Sequence, residues 1–244
     1  KMKSVIALLL AAGSASAFAP QQNSRSSVQL AAESKEGLES LAKELNPLVG
    51  FWDPMGLSEG DFYDMGEEAT VGFLRQSEIK HGRVAMAAFV GYIVQSNGIH
   101  FPFPIDTNGT PYPFAAGSPP EQWDALSTAA KAQIIIFVGF LEWWSEAAGT
   151  HYMRGGKPGE FPAFSSNPDL IPHPVPLNLF DPFGFSSKKS ETQKAEGLVK
   201  ELNNGRLAMI GIIGFLAEQK VTGAVPLLTG LNLPHYAGEP MAPF

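Results

Sequence analysis

Between Glu78 and Met86 the chain reads E-I-K-H-G-R-V-A-M: a carboxylate, an ammonium, an imidazole and a guanidinium within six residues, opening an almost wholly apolar run from Val84 to Val94. A second stretch, E-L-N-N-G-R-L-A-M from Glu201 to Met209, repeats the order 123 residues later. The register holds throughout: Glu78 maps to Glu201, His81 to Asn204, Arg83 to Arg206, Met86 to Met209 and Gly91 to Gly214. Ionisable groups in apolar sequence cost kilocalories unless they are paired or put to use. Two copies in register, each opening an apolar run, indicate an internal repeat.

Helical spacing turns these residues into a site. Glu78 and His81 are three apart and share a face, as do Glu201 and Asn204. Each arginine lies five positions beyond its own glutamate, about 140° further round the helix, and so turns away from it. If the two helices cross about a local twofold, Arg83 meets Glu201 and Arg206 meets Glu78. Gly82 and Gly205 let the backbones close up, as small residues do at helix crossings in membranes. Each pair cancels its charge and leaves one carboxylate oxygen outward. With the imidazole of His81 and the amide of Asn204, that makes four outward lone-pair donors. Single donors of this kind suit a metal already held by another group, with one axial position open. Two salt bridges that merely lock the helices would account for the glutamates and arginines, but would leave His81 and Asn204 without a task.

The two motifs, E-x-x-H-G-R-x-A-M and E-x-x-N-G-R-x-A-M, resemble those of the chlorophyll-binding light-harvesting complex family of thylakoid membranes. The resemblance is closest to the fucoxanthin–chlorophyll a/c proteins of diatom-type algae and spans roughly residues 50 to 223. It implies an all-α membrane protein of three transmembrane helices, the first and third crossing as a pseudo-twofold pair. It further implies that Glu78, His81, Glu201 and Asn204 ligate chlorophyll magnesium, with Arg83 and Arg206 as structural ion-pair partners. Gln133 and Glu142 match, approximately, the family's two middle-helix ligands; Glu146 is an alternative, or a partner for Arg154 or His151. Glu218 stands where the family usually carries glutamine, and Gln219 is turned about 100° away, so at most one of the two faces that site. His235 matches a ligand of plant members only loosely. His151, at a helix C-terminus, has a second reading as a dipole-stabilising cap. The implied cofactors are chlorophyll a, chlorophyll c and fucoxanthin or related carotenoids. The implied partners are a photosystem I or II core, neighbouring antenna subunits and thylakoid lipids.

The elements that must position these residues can be followed along the chain. Residues 1–17 have the form of a secretory signal: Lys1 and Lys3, an apolar run too short to span a bilayer, then the cleavage pattern Ala15-Ser16-Ala17. The run A-S-A-F-A-P resembles the bipartite presequence of secondary plastids, and residues 18–32, with no acid before Glu33, read as a transit segment. The pigment-binding domain is then residues 33–244. It starts with a short amphipathic helix carrying Leu38, Leu41 and Leu45 and stopped by Pro47. Next comes Phe51-Trp52-Asp53-Pro54-Met55-Gly56, whose counterpart is Leu179-Phe180-Asp181-Pro182-Phe183-Gly184. By resemblance, Trp52, Asp53, Pro54, Phe180, Asp181 and Pro182 hold carotenoid ends; Asp-Pro turns with a packed aromatic are the other reading. The three long helices are expected at about 71–96, 123–152 and 191–222. Only eleven residues of the third, Leu207 to Ala217, are strictly apolar, short of the roughly 20 that a span requires. The charged half must therefore lie within the membrane, shielded by its partner helix and by bound ligands.

Composition sets the outer limits. The chain has 244 residues, no cysteine, 17% charged residues and a net charge of −7. That excludes disulfides and thiolate metal sites, and without a basic cluster it argues against nucleic acid. Five basic residues lie between Met153 and Ala195, and none between Gln95 and Asp124 or after Gly223. The positive side then carries the N-terminus and the second loop. In a plastid thylakoid that side is the stroma, which puts the C-terminus in the lumen. The function expected is a non-enzymatic light-harvesting antenna, with a photoprotective quencher as the nearest alternative. From another class, a membrane metal or proton-relay protein would use the same intramembrane Glu and His. Its metal-enzyme form wants clustered histidines such as H-x-x-x-H, and the five histidines are not so spaced.

Overall fold

The computed structural model of the chain describes residues 34–105, 109–112, 117–167, 169, 179–231 and 233–239. The expected signal and transit segments lie outside the described residues. Among those described, every regular element is helical: α1 Lys35–Leu45, α2 Glu67–Ser96, α3 Pro119–Asp124, α4 Thr128–Ala147 and α5 Glu191–Lys220, with short 3-10 turns between them. None of these helices is both long and apolar enough to cross a membrane by itself. α2 and α5 have the length, 30 residues each, but carry Arg75, Glu78, Lys80 and Arg83, or Lys200, Glu201 and Arg206, inside it.

The expected middle helix, 123–152, is broken in two. Pro119 and Pro120 open α3 one turn earlier, where a missing N–H costs nothing and the Glu121 carboxylate accepts the Ser118 N–H at 2.8 Å. α3 closes through the tighter Leu126 N–H to Trp123 O bond, and Ser127 starts α4 by accepting from Ala130 N–H. α4 stops at Ala147, and Tyr152–Arg154 form a 3-10 turn capped by the His151 side chain. The first helix starts at Glu67 and the third ends at Lys220, within four residues of expectation.

The described chain forms two units, each containing part of both long helices. One comprises 34–86 and 135–208. There Ser34 caps α1, and Leu41 and Leu45 bury against Ile79 of α2 and Leu202 of α5, joined by Leu38 and Val199. Ile79 and Leu202 are repeat-related, so the repeat packs against itself. Gly82 and Gly205 do the same: a Cβ built on Gly205 would lie 2.9 Å from the Gly82 Cα. No side chain fits between these backbones. Trp144 of α4 is fully buried and donates its indole N–H to Pro162 O at 3.0 Å, which ties the loop after α4 back onto that helix.

The other unit comprises 87–134 and 209–239. Here the repeat-related rings of Tyr92 and Phe215 stack with centroids 4.8 Å apart, and Phe89 packs on Phe215 at 5.1 Å. Residues 233–239 lie extended along the end of α5: Tyr236 donates its N–H to Gln219 O and its hydroxyl to Asp124 Oδ2, at 3.0 and 2.8 Å. Burial and that carboxylate push the Tyr236 hydroxyl up to about 12.

Candidate functional site

The charged residues of α2 and α5 pair between the helices. Arg83 Nε lies 2.5 Å from Glu201 Oε1, and Arg206 Nε lies 2.7 Å from Glu78 Oε1. The backbone contact at Gly82 and Gly205 sits between the two pairs in sequence and sets the distance that the guanidinium groups must bridge. Arg83 also donates to Gly159 O at 2.6 Å, and Gly159 N–H donates to Gln76 Oε1 at 2.6 Å. The loop after α4 is thereby clamped to the same arginine. Gly159 has φ +83, and a Cβ there would press on Ile79; only glycine suits both constraints.

The two glutamates are not equivalent. Among the described residues Glu201 Oε2 has no partner, as one outward oxygen requires. Glu78 Oε2, in contrast, accepts from Arg75 Nη1 at 2.6 Å. The expectation of a free oxygen on each carboxylate is therefore corrected at Glu78, which an arginine holds on either side. Arg75 was missed by sequence reasoning, although its signal was there: it sits three residues before Glu78, on the same helix face.

His81 is exposed, with Nδ1 2.7 Å from Ser77 O one turn back. A carbonyl can only accept, so Nδ1 carries the proton and Nε2 presents its lone pair outward. Metal-binding histidines are commonly fixed in this way, by a backbone carbonyl on the other ring nitrogen. Asn204 and Gln133 are exposed, and among the described residues their side chains have no partner. Glu201 lines a cleft together with Arg83, Phe161, Leu179 and Phe180, so two aromatic residues share that cleft with its carboxylate. Among the described residues no group of three or more His, Asp or Glu could hold a bare metal ion. Isolated donors beside apolar walls fit a metal that arrives inside a flat macrocycle.

The remaining expected ligands are more entangled. Glu142 is paired with Lys80 of α2 at 2.5 Å, a contact the sequence reading did not foresee. Glu146 is 2.6 Å from His151 Nε2 and 3.4 Å from Lys80. His151 has both ring nitrogens engaged, the second by Met153 N–H. Glu218 is buried and both its oxygens accept backbone N–H groups, from Gly223 at 2.9 Å and Val225 at 2.8 Å. The expectation of an outward ligand there is corrected: α5 ends two residues later and the chain turns back at Gly223, so the carboxylate is captured by N–H groups just past the helix end. Gln219 is equally buried and donates to Pro234 O. His235 is exposed.

The Asp-Pro segments form one turn built twice. Asp53 accepts the N–H of Leu57 and Ser58 and the Ser58 hydroxyl, at 3.0, 2.8 and 2.8 Å. Asp181 accepts the N–H of Phe185 and Ser186, both at 2.6 Å. Gly56 and Gly184, at φ +64 and +67, make the left-handed step in each. The Ser58 N–H and hydroxyl hold the Asp53 carboxyl below its ordinary value. Partial desolvation opposes the same effect at Asp181, but the Ser186 and Phe185 N–H groups outweigh it. The aromatic before each aspartate is not packed into its turn: Trp52 is 76% and Phe180 63% exposed.

Known sequences match most of this chain. Residues 38–220 match the family described as Chlorophyll A-B binding protein. The fucoxanthin-chlorophyll a-c binding protein F of Phaeodactylum tricornutum, a chloroplastic protein, is 40% identical over 225 residues, covering 89% of this chain and 94% of that protein. The fucoxanthin-chlorophyll a-c binding protein of Trieres chinensis is 38% identical over 235 residues, 93% of this chain and 98% of its own length. A protein F of the same description from Macrocystis pyrifera is 32% identical over 84% of this chain and 83% of its own length. A family match over residues 38–220, together with relatives 32–40% identical over most of the chain, makes this chain a member of the chlorophyll A-B binding protein family.

Proposed function

We propose that the chain is a light-harvesting antenna subunit of the thylakoid membrane, holding chlorophyll a, chlorophyll c and fucoxanthin or a related carotenoid and passing excitation to a photosystem. One observation carries this reading. The reciprocal Glu–Arg pairs neutralise each other while leaving Glu201 Oε2, His81 Nε2 and the Asn204 amide turned outward, each a single axial donor. Glu78 can join them, because Oε2 retains a second lone pair beside the Arg75 bond. Bound chlorophyll supplies the light absorption; the residues of this chain fix its position, its axial donor and the local field.

The membrane setting rests on the surface of the long helices. Ile136 and Ile210 are each 72% exposed, and Val84, Val90, Phe137 and Ile213 are exposed as well. Apolar side chains on this scale call for a cover of lipid or pigment. The charged halves of α2 and α5 enter the same layer because their charges are paired. α4, at 20 residues, is about 30 Å long at 1.5 Å per residue, the thickness of a bilayer core. The chain then crosses three times, with α2 and α5 as a pseudo-twofold pair, the N-terminal side in the stroma and residues 1–32 removed during import. Photosystem cores and neighbouring antenna subunits are the partners that take up the excitation.

The test is to refold the chain with a pigment extract containing both chlorophylls and fucoxanthin, and to record the absorption of the purified product. Chlorophyll red bands with a blue-green carotenoid shoulder are expected, and a colourless folded protein would overturn the reading.

A further inference from the structure

Lys80 leaves α2 about 200° round from Glu78, on the face it shares with Arg83, and the two line one cleft with Glu142. Its ammonium reaches α4, 2.5 Å from Glu142 Oε2 and 3.4 Å from Glu146 Oε1. The other oxygen of Glu146 belongs to His151, at 2.6 Å. Because His151 Nδ1 accepts the Met153 N–H, its proton sits on Nε2 and the ring is a neutral donor. These four side chains bring together two carboxylates and one full cation, with Arg83 and Glu160 lining the same cleft, and the Lys80 ammonium sits closer to Glu142. Among the described residues Glu142 Oε1 has no partner, and its side chain is 57% exposed. This is the arrangement seen at Glu201: one oxygen held by a cation from another helix, the other open. α4 cannot supply the cation itself, since its lone basic residue is Lys131, eleven positions before Glu142, about 16 Å along the helix.

We propose that Lys80 is a positioning residue for pigment binding: reaching across from α2, it neutralises and aims the Glu142 carboxylate so that Oε1 can serve as the axial donor to a chlorophyll magnesium. The proposal rests on the antenna reading and deepens it. An uncompensated carboxylate in apolar surroundings takes up a proton, and a carboxylic acid is a poor axial donor. Lys80 therefore controls a pigment it need not touch. It also couples the placement of α4 to that of α2, because the ligand and its counter-charge come from different helices.

The test compares full-length chains refolded with chlorophyll a, chlorophyll c and fucoxanthin, read by pigment stoichiometry, difference absorption and far-ultraviolet circular dichroism. Glu142→Leu is expected to lose one chlorophyll with a defined spectral component. Lys80→Met should lose the same component at unchanged helix content. Lys80→Arg should keep it, and Lys80→Met with Glu142→Gln, which removes both charges and retains an oxygen donor, should recover it. If Glu142→Leu loses the component and Lys80→Met keeps it, the Lys80 inference is wrong while the antenna reading stands. If Glu142→Leu keeps every pigment, the inference also falls, and only a wild-type protein that binds none would take the antenna reading with it. Should Lys80→Met fail to refold, the double variant decides: pigmented refolding supports charge compensation, and a second failure overturns it.

Discussion

With Arg206 removed, Glu78 would still have Arg75 2.6 Å from its other oxygen; with Arg83 removed, Glu201 would have no partner among the described residues. Stranding one partner of a buried pair costs about 3–5 kcal/mol, against about 0–1 kcal/mol for an exposed one. Glu201 is 28% exposed, so Arg83→Leu should destabilise by an intermediate amount, on the order of 2 kcal/mol. Arg206→Leu should cost less than about 1 kcal/mol, because Arg75 remains. Denaturant unfolding of the pigment-loaded variants measures both, and equal losses would mean that Arg75 does not support Glu78. Glu201→Gln should rescue Arg83→Leu. At this scale the sequence was informative wherever one helix decides the geometry. The five-residue spacing is enough to send each motif arginine away from its own glutamate, and the Arg83–Glu201 and Arg206–Glu78 pairs run between helices. Lys80 was not legible because its partner depends on how α4 is turned. The Gly223 and Val225 partners of Glu218 were not legible because they lie beyond the helix end, in a reversal that helical periodicity does not encode.

At the scale of elements, the contact between Gly82 and Gly205 leaves no volume to give. Placing a side chain in a packed interior costs about 1–3 kcal/mol when the neighbours can shift. Here the neighbour is backbone, so Gly205→Leu should exceed that range, separate α2 from α5 and remove their pigments together. Gly197, on the same helix, meets nothing within 4 Å. Gly197→Ala should instead stabilise by roughly 0.5–1 kcal/mol. Refolding yield and unfolding midpoints for both variants check this, and a tolerated leucine at 205 would show that the helices do not need the close approach. α2 and α5 were legible to within four residues because in each a polar stretch leads into a long apolar run that ends at a breaker, Asn97-Gly98 or Gly223. The break between α3 and α4 was not, since Ser127 lies among residues that are all compatible with helix and only its side-chain cap marks the restart.

For the whole molecule, the loop between Met153 and Lys194 carries the basic residues, and the stretch from Phe101 to Pro120 carries none. Protease added to stroma-side-out thylakoid vesicles should cut the first and spare the second; the reverse pattern would invert the topology. The hydropathy of single helices does not reveal this layout, because the charges that lower it are cancelled only after α2 and α5 meet. That meeting has a further consequence. Ile79 shares a core cluster with Leu202 and Gly82 touches Gly205 in one unit, and Tyr92 stacks on Phe215 in the other, each residue with its own repeat counterpart. Two separate identical chains joined through such a surface would feel every substitution twice. Within one covalent chain each half can change alone. Arg75 has Leu198 as its counterpart, Lys80 has Asn203 and His81 has Asn204. Tandem connection thus frees the interface from self-complementarity: one half can acquire a cation or a different donor without forcing the other to accommodate it, and two sites of shared ancestry can diverge in charge and affinity while the contacts that hold the helices together stay matched.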